Sequence, residues 1–390
     1  MRERVGREVV IVEAARTPIG RGKHATGYYA DVHPNELLGA CYSAVIERAG
    51  IDPETVGDVI AGCVGQVGAQ SQNIARNAWL QAGLPVTTPA VTVERQCGSA
   101  QQAVNFAATQ IAAGVHDIVI GAGVEHMGRV PMGSNTWHPD ETGDPFPQEL
   151  MDRYGLVPQG LSAEMIAERW EITRSELDEF GLRSQQFAAR ATREGRFARE
   201  VVSMTVNGET YVSDQGIRPD TNLETLAGLR PAFKPDGRVT AATSSQISDG
   251  SAAVLLMARE KAEELGLRPR ARIVDQVTAG VDPVIMLTGP IPATRMILER
   301  NQLTIADLDL IEINEAFAPV VLAWERELQP DMARVNVNGG ALALGHPLGS
   351  SGARLITTLL HELERSDREL GLVTMCTAGG TGPATLIERL

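Results

Sequence analysis

The chain has 390 residues, which at roughly 150 per domain is enough for two or three domains or one large α/β unit with a substantial core. Hydrophobic residues make up 43% and charged residues 22%, which excludes a disordered or fibrous chain. Thirty-five Lys and Arg against 49 Asp and Glu leave a net charge of −14, which argues against nucleic acid as the main partner; an anionic small ligand is still compatible, because a local basic or amide-rich pocket decides its binding.

Met1 to Glu8 mixes Arg2, Arg4 and Arg7 with Glu3 and Glu8, and Glu13 interrupts the apolar stretch that follows, so no signal-peptide core is expected. No run approaches the ~18 apolar residues of a membrane span. The terminal Glu388-Arg389-Leu390 is not a peroxisomal address, and the expectation is a cytoplasmic protein. Val9–Val12 reads as a buried strand, and Pro34–Ala49 as a helix with Leu37, Leu38, Cys41 and Val45 at helical spacing. Val56–Ala61 predicts another strand, Ser99–Ala113 a helix of small residues, and Ile118–Ile120 a strand entering a glycine-rich turn at Gly121-Ala122-Gly123. The order then repeats: strand Ala271–Asp275, helix Pro292–Arg300, strand Leu308–Ile313, helix Gly352–Leu363 and strand Leu372–Met375.

Such alternation predicts an α/β layered fold made of two similar halves. Residues 1–127 with 240–268 form the first half, and 269–390 the second. Between them, 128–239 carries Trp137, Trp170, a Pro/Asp-rich stretch from His138 to Pro147 and a helical segment from Ser162 to Glu194, and reads as an inserted loop domain.

Four cysteines, Cys41, Cys63, Cys97 and Cys376, show no Cys-x-x-Cys spacing, so neither disulfides nor zinc are expected. Cys97 lies between a strand-like run and a helix start, where free N–H groups and the helix dipole favour thiolate, which is the setting of a nucleophile. His346 sits in Asn338-Gly339-Gly340-Ala341-Leu342-Ala343-Leu344-Gly345-His346-Pro347, a loop whose backbone must approach something closely. It falls just before its helix, as Cys97 does. Cys376 opens the turn Cys376-Thr377-Ala378-Gly379-Gly380, whose N–H groups can face a developing negative charge. Asn314, in Ile313-Asn314-Glu315-Ala316-Phe317 at a strand end, can hold a water. Taken singly, each has a plain structural reading as buried thiol, helix cap, glycine turn or structural amide. Gly-Lys-Ser/Thr, a complete dinucleotide fingerprint and a Gly-x-Ser-x-Gly elbow are all missing, which weighs against nucleotide binding and serine hydrolysis.

Together, Arg95-Gln96-Cys97-Gly98-Ser99, Asn314-Glu315-Ala316-Phe317, Gly345-His346-Pro347 and Cys376-Thr377-Ala378-Gly379-Gly380 resemble the thiolases in order and interval, and the resemblance runs from the first strand to the last residues. It implies a thiolase-like αβαβα stack of two halves with a loop domain over the CoA site. It also implies cleavage of a 3-oxoacyl-CoA with CoA, in fatty-acid or related β-oxidation, to acetyl-CoA and a shortened acyl-CoA. Carried over, Cys97 attacks the keto carbon and His346 takes its proton. Cys376 is the general acid, or in the Claisen direction the base. His346 and a water on Asn314 form one oxyanion hole. The N–H groups of Cys97 and Ala378 form the other, and such a donor is worth roughly 3–4 kcal/mol of barrier. Arg218, in Gly216-Ile217-Arg218-Pro219, and Ser245, in Ser244-Ser245-Gln246, match CoA-contacting positions. No metal and no tightly bound cofactor is implied; CoA and acyl-CoA are substrates, and a homodimer or homotetramer is expected.

Ala100 and Ala378 stand where glycines are common, a change a backbone donor survives when φ is negative. Pro158-Gln159-Gly160-Leu161-Ser162-Ala163-Glu164 replaces a stretch that often begins His-Met-Gly, which points to a different acyl pocket and a longer or bulkier chain than acetoacetyl. The same residues would serve a biosynthetic acetoacetyl-CoA thiolase. A non-catalytic acyl-CoA-binding subunit is the reading from another class, and a decarboxylating ketosynthase is disfavoured by Cys376.

Overall fold

Residues 6–136, 141 and 143–390 are described by the computed structural model; Trp137 and most of the stretch from His138 to Thr142 lie outside them, as do the arginines at 2 and 4. The first half contains strands β1 (Val9–Arg16), β2 (Asp58–Gly62), β3 (Ala90–Val93), β4 (Ile118–His126) and β5 (Ser248–Ala258), and the second contains β6 (Ala271–Gly280), β7 (Leu310–Ile313), β8 (Leu370–Thr374) and β9 (Thr381–Arg389). Helices α1 (Pro34–Ala49), α2 (Ile74–Gln81) and α3 (Ser99–Ala112) belong to the first half. Next come α4 (Gln159–Arg169) and α5 (Arg174–Arg193), between β4 and β5. The second half adds α6 (Pro290–Asn301), α7 (Ala318–Leu328) and α8 (Ser351–Arg365).

The two halves repeat one topology. In the first, β2 runs parallel to β4, and β5 is antiparallel to both β4 and β1. In the second, β7 runs parallel to β8, and β9 is antiparallel to both β8 and β6. Strand β3 extends the first sheet parallel to β2, and a single parallel bridge from Ile311 to Val335 takes its place in the second. The sheets also meet edge to edge, since β1 pairs with β6 at Val10–Arg272 and Ile11–Ala271.

Helices set the layers. On one outer face α1 and α2 bury Leu37, Cys41 and Trp79 against Val59 and Leu255, and on the other α6 and α7 bury Ile297 and Trp324 against Leu372 and Leu386. Between the sheets, α3 and α8 share a core that takes residues from both halves, among them Val104, Leu355, Val254 and Val373. The resulting order is helix, sheet, helix pair, sheet, helix. Apolar side chains buried at about 25 cal/mol per Å² supply most of the drive for such stacking.

Three expectations change. Gly121 and Gly123 lie within β4 and form no turn: a Cβ on Gly121 would sit 2.6 Å from the Cα of Val104 in α3, and one on Gly123 would sit 2.1 Å from the carbonyl of Gly349, so these glycines admit close neighbours to a flat strand. Central strand β5 was hidden by its small polar start, Ser248-Asp249-Gly250-Ser251, and β9 by Pro383, which ordinarily marks a sheet edge. Strand β1 runs four residues further than Val12.

Because β4 and β5 are sheet neighbours, the described residues between Met127 and Ile247 connect two adjacent strands of the first sheet. Among them, helix α5 starts at a capping box of Thr173 and Glu176 and buries Leu177, Phe180, Ser184, Ala188 and Ala191 along one face.

Candidate active site

Cys97 stands between the end of β3 and the first turn of α3. The chain turns there through Gln96, a non-glycine residue at φ 47°, and Ser99 holds the turn by accepting from the Arg95 N–H at 2.9 Å and donating to the Gln96 carbonyl at 2.6 Å. Gly98 lets a second loop close in, since a Cβ there would lie 2.9 Å from Cγ2 of Thr377. The N–H groups of Ala378 and of Cys97 itself, and the carboxamide of Gln159, act on the Cys97 thiol to lower its pKa. Burial outweighs these donors and pushes the thiol up to about 11. The helix-end argument predicted a thiolate; the resting group is a neutral thiol, because the cost of removing charge from water is the larger effect.

Cys376 is fully buried just past β8, and burial followed by the neighbouring Cys97 raises its pKa further. Its turn closes through Thr377 N–H to the Thr381 carbonyl at 3.0 Å, and Gly379 and Gly380 take φ 77° and 75°, where a side chain would be strained. Ala378 is outside that left-handed region and Ala100 lies within α3, so neither replacement of glycine distorts the backbone.

His346 is oriented from both ring nitrogens. Its Nδ1 lies 2.6 Å from Ser351 Oγ, and that hydroxyl donates to the Pro347 carbonyl at 2.8 Å. The network therefore assigns the ring proton to Nδ1 and leaves a lone pair on Nε2, 3.3 Å from Nδ2 of Asn314. Burial, with the charge of Arg354 adding to it, lowers the ring to about 3 and keeps it neutral. Asn314 is fully buried, and its Oδ1 has no partner among the described residues, which suits a bound water.

Two buried carboxylates that the sequence reading did not single out join these loops. Glu125, at the end of β4, accepts from the N–H groups of Val64, Gly65 and Gly349 and from Gln70 Nε2, each at 2.9 Å, and so binds the His346 loop to the first half. Glu315 accepts from Ser184 at 2.6 Å and Asn336 at 2.9 Å, tying the Asn314 loop to α5. The signal for Glu125 was a charge inside an otherwise apolar strand.

Of the residues predicted to hold CoA, Ser245 borders the Asn314 loop and Arg218 lies against α5. Ser245 is half-buried, its N–H donating to the Ala316 carbonyl at 2.9 Å, while the Arg218 side chain is exposed and its N–H donates to Gln185 Oε1 at 2.7 Å. Gln246 connects the two regions by donating to the carbonyls of Gly216, Leu342 and Ala343, each at 3.0 Å. Among the described residues, no group of His, Cys, Asp and Glu is arranged to hold a metal ion, and no helix is long and apolar enough to cross a membrane.

Residues 9–260 match the thiolase N-terminal domain and residues 267–389 the thiolase C-terminal domain. The chain belongs to the thiolase family. It is 46% identical to the steroid 3-ketoacyl-CoA thiolase FadA6 of Mycobacterium tuberculosis, over 98% of this chain and 94% of that protein. A 3-ketoacyl-CoA thiolase of Aeromonas salmonicida is also 46% identical, over 98% of this chain and all of that one. Among solved structures, an acetyl-CoA acetyltransferase of Bacillus anthracis superposes with TM-score 0.89 at 41% identity, covering 99% of this thiolase and all of its counterpart. The five-layer arrangement is thus the thiolase fold.

Proposed function

We propose that this thiolase cleaves 3-oxoacyl-CoA with CoA in the degradative direction, through an acyl group on Cys97, in fatty-acid or related β-oxidation. The observation that supports the reading is that four separate loops bring Cys376 and Ala378 against Cys97 and set Asn314 3.3 Å from His346. The relatives named 3-ketoacyl-CoA thiolase support the substrate class.

Chemistry follows from the protonation states. His346 Nε2 takes the Cys97 proton as the sulfur attacks the keto carbon, so no free thiolate need accumulate in the buried site. The N–H groups of Cys97 and Ala378 hold the tetrahedral oxyanion that forms beside the sulfur. Collapse breaks the Cα–Cβ bond and sends its electron pair toward the thioester. Protonated His346 and a water on Asn314 stabilise that enolate oxygen, and Cys376 gives its proton to the α-carbon, releasing acetyl-CoA. In the second half-reaction the CoA thiol attacks acyl-Cys97. Its proton goes to Cys376, and the departing Cys97 sulfur recovers its own from His346, so every group returns to its starting state.

Arg218 would meet the nucleotide end of CoA and Ser245 the pantetheine, with residues 128–239 as the cover over them. The enzyme acts in the cytoplasm as a homodimer at least. Strand β3 supports pairing through the first half, since it is an open sheet edge with Val91 exposed. Incubation with 3-oxoacyl-CoA thioesters from acetoacetyl to long and ring-bearing chains, followed by peptide mass spectrometry, tests the reading. An acyl mass on the Cys97 peptide is expected, with chains longer than acetoacetyl loading fastest. Fastest loading by acetoacetyl-CoA would instead favour the biosynthetic enzyme, and CoA binding without acylation a non-catalytic subunit.

A further inference from the structure

Between α5 and β5 the chain runs back onto the end of β1. Arg16, the last residue of that strand, donates its N–H to the Glu200 carbonyl at 2.9 Å and accepts from the Val202 N–H at 2.8 Å, and its side chain is wholly buried. The guanidinium meets the Asp214 carboxylate with two bonds, Nη1 to Oδ1 at 2.7 Å and Nη2 to Oδ2 at 3.0 Å. Its Nε donates to Glu200 at 2.5 Å, and its Cζ lies 5.0 Å from the centre of the Phe197 ring. Asp214 also accepts from the Ile19 N–H at 2.7 Å. A buried pair of this kind adds little stability over apolar residues of the same volume; what the two-pronged fork fixes is geometry.

Asp214 opens the segment that ends at Arg218, and its residues are held by different parts of the molecule. Gln215 accepts from the N–H groups of Arg21, at 2.9 Å, and Tyr28, at 3.1 Å, and donates to the Thr26 carbonyl at 2.7 Å. Gly216 is pressed against the chain leading to His346, where a Cβ would lie 2.7 Å from the Ala343 carbonyl oxygen. Arg218 is held at its N–H by Gln185 of α5, while the residue itself is exposed. A surface segment with its backbone secured at 214, 215, 216 and 218 presents its cation at a defined place.

We propose that Arg16 and Gln215 are positioning residues for CoA, holding the 214–218 segment so that Arg218 meets the anionic nucleotide end of the substrate. The inference rests on Arg218 contacting that end. When only part of a protein's population is competent to bind, affinity falls by that fraction, so freeing the segment to about three to ten positions of equal energy weakens CoA about 3- to 10-fold.

The test compares kcat/KM for two substrate pairs on the full-length enzyme, 3-oxohexanoyl-CoA with CoA and 3-oxohexanoyl-pantetheine with pantetheine, which lacks the nucleotide. The ratio of the two does not depend on how much of a variant folds. Arg218→Ala is expected to lower the CoA-to-pantetheine ratio about 10- to 100-fold, the range of a hydrogen bond to a charged group. Arg16→Lys keeps the charge without the fork, and Gln215→Met keeps the length without the three bonds. Each should lower the ratio about 3- to 10-fold, through KM for CoA rather than kcat, and neither should lower it further when combined with Arg218→Ala. A residue that serves only the stability of the fold would weaken both pairs alike and leave the ratio at its wild-type value. Where Arg16→Lys yields no folded enzyme, Gln215→Met decides alone. A wild-type ratio in both variants, with that of Arg218→Ala reduced, overturns the positioning alone, and a further loss in the double variants overturns its route through Arg218. A wild-type ratio in Arg218→Ala removes the CoA contact itself and the positioning with it.

Discussion

The corner after β3 and the corner after Val335 occupy equivalent places in the two halves, each following the strand or bridge that runs parallel outside β2 or β7. One presents Cys97 and the other His346. They are held differently. Cys97 sits two residues before α3 and meets backbone donors, whereas His346 is separated from α8 by the turn Leu348–Ser350 and is fixed by the side chains of Ser351 and Asn314. Repetition supplies the place, and the loop packed against each corner supplies the chemistry, so one fold yields a nucleophile and a base without sharing a sequence motif.

That contrast can be broken from either side. Cys97→Ala is expected to lower kcat by at least about 10⁴-fold, by analogy with loss of other covalent nucleophiles, and to abolish the acyl mass while CoA still binds; retained turnover would remove Cys97 from its role. His346→Ala removes the base but not the sulfur. Turnover should fall about 10²- to 10⁴-fold, while Cys97 alkylation at high pH persists, which a stopped assay on the variant would check.

The pH response sharpens the comparison further. His346 is lowered to about 3 in the folded protein against 6.5 for a free imidazole, so below 6.5 the unfolded chain binds a proton that the native state does not. The stability tied to this group is therefore present above pH 6.5 and declines as pH falls from 6.5 toward 3, and His361, also lowered to about 3 by burial, acts in the same direction. Denaturant titrations at pH 7 and pH 5 should show the lower midpoint at pH 5, and His346→Gln should reduce the difference. Ser351→Ala is the smallest change. It removes the acceptor that fixes the Nδ1–H tautomer and should cost about 3- to 10-fold in kcat with little effect on KM. Equal loss in both parameters would instead mark a general loosening of the loop.

The catalytic strings were legible because each is local, a few residues at the end of a strand or start of a helix where side chains and free N–H groups must be exposed to one another. Halves and layers were legible in the alternation of short branched runs with alanine-rich ones. What escaped depends on distant partners. Ser248-Asp249-Gly250 looks like a loop until Gly20–Arg21 and β4 flank it, and Pro383 looks like a break until β6 and β8 enclose it. Glu125 gains meaning only from Val64 and Gly349, drawn from opposite ends of the chain. The thiol state of Cys97 likewise follows from burial, which the string around it does not contain.

The order of β9 in the chain has a consequence for biosynthesis. It leaves the ribosome after β1 to β8, yet it lies in the interior of the sheet, between β8 and β6. Until it inserts, neither the turn that carries Cys376 nor the Ala378 donor has its frame. A nascent chain therefore displays Cys97 without its acid and oxyanion partner, and catalytic competence waits on the long-range pairing of β9 with β6, in which Arg389 meets Ala271.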